Sequence, residues 1–270
     1  MPKRLPDELK AAEQFLNAWL DQSQNTEIVR QAEELPLRRD IGSLLMYVRD
    51  NKVVGTQANN MPMKAVREVA ARFVEPPELE IVIGKNVHPH RSEEQVWPVN
   101  FVRILAEVGG LLKIGASRRW RLTRKGEKFL TKSPLQQLAF LLTTWWFKVN
   151  WLVAYPFGGV GDDLPQFFEL KILTKILTLP TKIRIPFEPF ANELIKITGL
   201  IWTAQDMTQA TENLHHVIKR VIIRPLADFG VIECEYREEP LYEITISKLV
   251  AFEPTPLGKF LLQAIAIAVG

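Results

Sequence analysis

One phrase occurs twice in this chain, and it limits what the chain can fold into. The first copy runs Gly109-Gly110-Leu111-Leu112-Lys113, then a basic stretch, then Leu122-Thr123-Arg124-Lys125-Gly126-Glu127-Lys128-Phe129-Leu130. The second runs Phe229-Gly230-Val231-Ile232-Glu233 and, after a longer excursion, Phe252-Glu253-Pro254-Thr255-Pro256-Leu257-Gly258-Lys259-Phe260-Leu261. Each follows apolar residues at helical spacing. Each then reads as glycine turn, strand, excursion, strand, Thr-x-x-Gly and helix. A chain of 270 residues has room for two domains, so a duplicated module is the simplest organisation.

The spacing predicts a helix over 7–20, and a helix or loop over 22–36. A helix follows that Asp40 caps, with Ile41, Leu44, Leu45 and Val48 inward. Val53-Val54-Gly55-Thr56 reads as extended. Asn59-Asn60 starts a second helix, with Ala65, Val66, Val69, Ala70 and Phe73 inward and Pro62 in its first turn. A polar loop over 78–95 holds a short strand, Leu79 to Ile83. The third helix runs from Trp97 to Val108, with Phe101, Ile104, Leu105 and Val108 inward, and Gly109-Gly110 ends it. Strands at Leu111 to Ile114 and Arg119 to Leu122 flank the turn Gly115-Ala116-Ser117. An apolar, Trp-rich helix from Leu135 to Trp151 joins the halves. In the second half the expected helices are 167–179, 190–198 and one from Thr211 or Asn213, which Pro225 kinks or shortens. Strands follow at Val231 to Tyr236 and Leu241 to Ile246, and a helix at 258–268.

Helix, turn, helix and a terminal hairpin is how a winged helix reads in sequence. The expected fold class is therefore α+β, mainly helical, with two tandem winged-helix domains bearing small antiparallel wings. The boundaries are a helical extension over 1–39, domain 1 with its connecting helix over 40–153, a Gly/Pro linker over 154–166, and domain 2 over 167–270.

Charge clusters locally. Residues 113–132 hold Lys113, Arg118, Arg119, Arg121, Arg124, Lys125, Lys128 and Lys132 against the single acid Glu127. That local excess of seven exceeds the formal net charge of +3 for the whole chain. A basic hairpin tip can reach phosphate, which makes this wing the main candidate nucleic-acid site. Arg103 on the third helix, and His215, His216, Lys219 and Arg220 on its counterpart, are further candidates. The third helix is otherwise poor in side chains that read bases, with Asn100 beside Arg103. The second wing has the opposite sign, with Glu233, Glu235, Glu238, Glu239 and Glu243 against Arg237. Either repeat one binds and repeat two assembles, or the acidic wing of one molecule meets the basic wing of another.

Other signals point to plain structure. His88-Pro89-His90 has no carboxylate or cysteine beside it, so no metal is expected. Gly158-Gly159-Val160-Gly161 lacks the Lys-[Ser/Thr] and the preceding strand of a phosphate loop. The single cysteine, Cys234, sits among glutamates, which raise rather than lower a thiol pKa. One cysteine excludes an internal disulfide and suits a reducing cytoplasm. No leader is expected from the start of the chain, and the stretch 135–152 is too polar to span a membrane. Trp145, Trp146, Phe147 and Trp151 read as a core between the repeats rather than a stacking platform.

The motifs Gly109-Gly110-Leu111-Leu112, Leu122-Thr123-x-x-Gly126-x-x-Phe129-Leu130 and Trp145-Trp146 resemble the winged-helix repeats of the helicase-associated N-terminal region of XPB-like helicases. In the second half Arg224-Pro225-Leu226-Ala227-x-Phe229-Gly230 and Thr255-Pro256-Leu257-Gly258-x-Phe260-Leu261 carry the same resemblance, more loosely. No helicase motor accompanies them. The resemblance implies an accessory or stand-alone relative without ATP hydrolysis. The expected function is non-catalytic, cofactor-free binding of nucleic acid, DNA in preference to RNA, with charge neutralisation by the first wing. A protein-assembly module that self-associates or holds a protein partner, without nucleic acid, is the alternative.

Overall fold

The computed structural model describes residues 20, 25–83, 85–151, 168–202, 206–241 and 244–269. The fold is α+β and mainly helical, with three small antiparallel sheets among the described residues. The chain forms two compact units, one of Glu33–Val149 and one of Met1–Ala32 with Asn150–Gly270. The helix expected over 7–20 lies outside the described residues except for Leu20, and the linker expected over 154–166 lies wholly outside them.

The first helix whose bounds are described is α1 (Thr26–Glu34). Helix α2 (Pro36–Asp50) opens the first unit, with Leu35 rather than Asp40 at its N-cap position, five residues earlier than expected. Pro36 suits a first helical turn, and Leu37 joins the buried face. Asp40 is therefore inside the helix and not its cap. Its buried carboxylate accepts the Val74 N–H at 2.8 Å, and burial pushes its pKa up to about 6. Helix α3 (Met63–Ala70) starts after Pro62 rather than at Asn59, which adopts a left-handed φ of 65°. Within the stretch expected to be a loop with one strand lies a hairpin, β1 (Glu80–Ile83) and β2 (Asn86–Pro89). Helix α4 (Trp97–Val108) has the expected bounds but a different inner face. Val99, Phe101, Val102, Leu105 and Ala106 are buried, while Val108 is exposed. Asn100 and Arg103 are buried as well, so the helix is enclosed on more than one side.

Strands β3 (Leu112–Ile114) and β4 (Trp120–Leu122) form the terminal hairpin. The extended Val53-Val54 joins it. Val54 bridges Arg119, Trp120 N–H donates to Val53 O at 3.0 Å, and Gly55 N–H donates to Arg118 O at 2.6 Å. Helix α5 (Arg124–Leu130) follows, then α6 (Pro134–Phe147). Ser133 and Gln136 form a capping box at the start of α6, with Pro134 in its first turn. Helix α6 belongs to the first unit and does not merely join two halves. Trp145 meets Phe101 edge-on with ring centroids 5.4 Å apart, and Trp146 is fully buried. Trp145 is thus part of the core of one unit.

The second unit has α7 (Glu169–Thr178), β5 (Ile185–Pro186), α8 (Phe187–Thr198) and α9 (Met207–Ile218). Asp206 caps α9 through the Thr208 N–H at 2.9 Å. Pro225 does not shorten this helical run. A π-turn over Lys219–Ile223 widens it just ahead of α10 (Arg224–Asp228), whose first turn accommodates the proline. Strands β6 (Ile232–Leu241) and β7 (Ile244–Pro254) are longer than expected, and β5 lies on the outer edge of β7. A register shift at Glu235/Tyr236 marks a bulge. Helix α11 (Pro256–Val269) closes the described chain. Phe190 meets Phe252 edge-on at 4.9 Å in this core.

The same bonds seat both hairpins. Thr123 Oγ1 donates to Gly110 O at 2.7 Å and accepts the Gly126 N–H at 3.0 Å. Thr255 Oγ1 donates to Gly230 O at 2.6 Å and accepts the Gly258 N–H at 2.8 Å. Thr123 N–H donates to Leu111 O at 2.9 Å, and Thr255 N–H to Val231 O at 3.0 Å. Gly110 and Gly230 turn the chain at φ of 71° and 66°, a region that disfavours side chains. A methyl group on Gly126 or Gly258 would overlap the Leu111 or Val231 carbonyl. The twofold phrase in the sequence is therefore a twofold clamp, in which a threonine ties the glycine turn to the start of the next helix.

Candidate nucleic-acid interface

The first hairpin is built by the clamp, by the two short strands and by the Val53-Val54 edge. Register pairing sets Lys113 directly opposite Arg121. Directly opposed residues project on the same face of an antiparallel pair, about 4.5–5.5 Å apart at Cα. Both side chains are exposed. Arg118 occupies the turn with a left-handed φ of 54° and is exposed, and Arg119 is half-buried beside it. Past the clamp, Arg124 and Lys128 stand one helical turn apart on α5, both exposed. Lys125 lies with its ammonium 4.6 Å from the centre of the Phe140 ring. Among the described residues, no carboxylate lies within ion-pair distance of Lys113, Arg118, Arg119, Arg121, Arg124 or Lys128.

Two opposed cations without a counter-ion cost the hairpin stability. Beneath them the hairpin is well packed: Leu111, Leu112 and Trp120 are buried. Trp120 is enclosed with the Arg103 guanidinium 5.7 Å from its ring centre, so it cannot stack on a base.

Arg103 does not belong to the surface. Its Nε donates to Glu93 Oε1 at 2.5 Å, its Nη1 to Glu107 Oε2 at 2.6 Å and its Nη2 to Asn100 Oδ1 at 3.0 Å. Glu93 also accepts the Met61 N–H at 2.5 Å. Burial raises the Glu93 pKa while Arg103 opposes that rise. Arg103 is thus the counter-ion of an interior carboxylate, and α4 presents no base-reading side chain through it. The sequence pattern treated it as exposed because it is charged; the signal against that reading was Glu93, ten residues upstream in a capping-box stretch.

The second-unit candidates are mixed. His215 is half-buried, with Nε2 2.8 Å from Asn192 Oδ1 and its ring edge-on to Phe187 at 5.9 Å. Burial lowers the pKa of both His215 and His216. Lys219 lies over the Tyr236 ring at 5.5 Å, and burial lowers its pKa too. Arg220 is half-buried. His216 alone of the four is exposed. Burial also pushes the Cys234 thiol up to about 11, consistent with an inert residue. His88 is exposed on β2 and His90 is buried, and among the described residues no cluster of three or more metal-ligating side chains occurs. The Gly-rich stretch at 158–161 lies outside the described residues.

The β6–β7 hairpin reverses the charge of the first. Glu233 lies directly opposite Glu253. Both follow from the clamp: Lys113 and Glu233 stand two residues beyond Leu111 and Val231, and Arg121 and Glu253 stand two residues before Thr123 and Thr255. The two pairs thus hold the same place in the two hairpins. Further along, Arg184 pairs with Glu235 at 2.5 Å, and Arg237 faces Lys248. No described helix is long and apolar enough to cross a membrane. No family model, curated protein or solved structure matches the chain.

Proposed function

We propose that this chain is a non-catalytic nucleic-acid-binding protein of two tandem winged-helix units, acting through the first wing. The observation that carries this reading is the exposed Lys113–Arg121 pair, opposed across a three-residue ladder without a counter-ion among the described residues. Phosphate groups are the ligand that turns that repulsion into attraction. Arg118 at the turn, with Arg124 and Lys128 past the clamp, extends the same charge along the surface. The order α2, Val53-Val54, α3, α4, β3, β4, with the extended piece paired to the hairpin, supports the winged-helix assignment. With Arg103 and Asn100 buried, binding follows the backbone and carries little sequence preference. DNA is the preferred substrate, in the cytoplasm, and the chain stands as an accessory relative of the repeats in XPB-like helicases.

Fluorescence anisotropy with labelled random duplex, single-stranded DNA and RNA tests this. Binding that falls more than about tenfold between 50 and 200 mM salt is the expected result. No binding at low salt to any of the three overturns the reading.

A further inference from the structure

We infer that the acidic root of the second wing is a docking face for the basic first wing of another copy of this chain. The observation is the reversed sign at one structurally equivalent place. Lys113 and Arg121 face each other across one ladder, and Glu233 and Glu253 face each other across the other, at the same step from the same threonine clamp. In both hairpins the pair consists of directly opposed antiparallel residues, so the two cations and the two carboxylates stand at one common spacing. Among the described residues none of the four has an ion-pair partner. Each pair on its own is self-repelling. Brought face to face, they form two ion pairs in register and relieve both repulsions at once.

The rest of the second wing fixes the orientation. Glu235 on the same face already holds Arg184 at 2.5 Å, and Lys248, opposite Arg237, reaches Glu188 at 3.4 Å. The incoming Arg118 turn would be repelled by Arg237 and Lys248. The partner hairpin therefore lies antiparallel, with its turn directed toward the Gly230 and Thr255 end. Every copy carries both faces, so the contact is heterologous and builds reciprocal pairs or chains of copies.

This inference concerns protein alone and does not depend on the nucleic-acid reading. Its test is mass against concentration at low salt without nucleic acid, by sedimentation or light scattering. The wild-type protein is expected to associate with rising concentration and to dissociate with added salt. Lys113→Glu with Arg121→Glu, and separately Glu233→Lys with Glu253→Lys, should each weaken association at least about tenfold, because attraction becomes repulsion. An equimolar mixture of the two variants should associate again, since each supplies the complement of the other, and that rescue excludes misfolding as the cause of the loss. A wild-type mass that stays monomeric at every concentration, a mass that neither reversal changes, or a mixture that stays dissociated overturns the inference.

Discussion

Replacing Lys113 and Arg121 together by threonine should move two properties in opposite directions. Lys113, Arg118, Arg121, Arg124 and Lys128 are exposed and have no carboxylate partner among the described residues, so each can neutralise one phosphate. Five such contacts on duplex DNA give a slope of about −4.5 for log affinity against log salt, or about 500-fold weaker binding from 50 to 200 mM salt. Removing two contacts reduces the slope to about −2.7, and the same salt step then costs only about 40-fold. The same substitution removes a like-charge pair and leaves two residues suited to strands, which stabilises the hairpin by about 0.2–1 kcal/mol. For a unit of this size that corresponds to a Tm about 1–5 °C higher. Anisotropy at several salt concentrations gives the slope, and a thermal melt gives the Tm. An unchanged slope would show that these cations do not touch phosphate. A Tm that falls would show that the pair is not the strained element inferred from its register.

Two other perturbations probe the interior. Arg103→Ala leaves Glu93 buried without its counter-ion, and a loss of about 3–5 kcal/mol is expected in chemical unfolding. Adding Glu93→Gln should recover part of that loss, and a stable single variant would refute the pairing. Asp40 titrates near pH 6 when folded, above its ordinary value of 3.8. Its ionised form therefore burdens the folded state above pH 6, and the burden lifts as pH falls toward 4. The difference amounts to at most about 3 kcal/mol, reduced by any solvent screening. Asp40→Asn keeps an acceptor for the Val74 N–H, so it should be more stable than the wild type at pH 8, with the gap closing by pH 4. A gap that does not vary with pH in thermal melts would remove the charge as its cause.

Much of the fold was legible where a local signal and the final environment agree. Trp97–Val108 has glycine at its end and proline in its first turn, and its bounds follow from those residues alone. Its inner face did not follow. Phe101 and Leu105 are buried as their spacing demands, but so is Arg103, because a carboxylate from another stretch of chain meets it. β2 was hidden by His88 and Pro89, which say little about strands until Ile81 and Glu80 pair with them. β6 beyond Tyr236 was hidden because Glu238, Glu239 and Pro240 are poor strand residues, while the ladder continues through them. The basic stretch of the candidate site was visible in composition. That Lys113 faces Arg121, and that Glu233 with Glu253 occupies the matching place, depends on register, which residue periodicity does not contain.

The threonine clamp also separates length from attachment. Thr123 reaches back 13 residues to Gly110, and Thr255 reaches back 25 to Gly230, yet the bonds they make are the same. All the added chain lies in the hairpin between two fixed anchor points. The clamp thus works as a socket that accepts inserts of different size and sign, and the body of each unit need not change when its insert does. Sequence drift within the insert can then alter what a unit touches while its core stays as it was. Exchanging the two inserts would transfer reach and charge together from one body to the other.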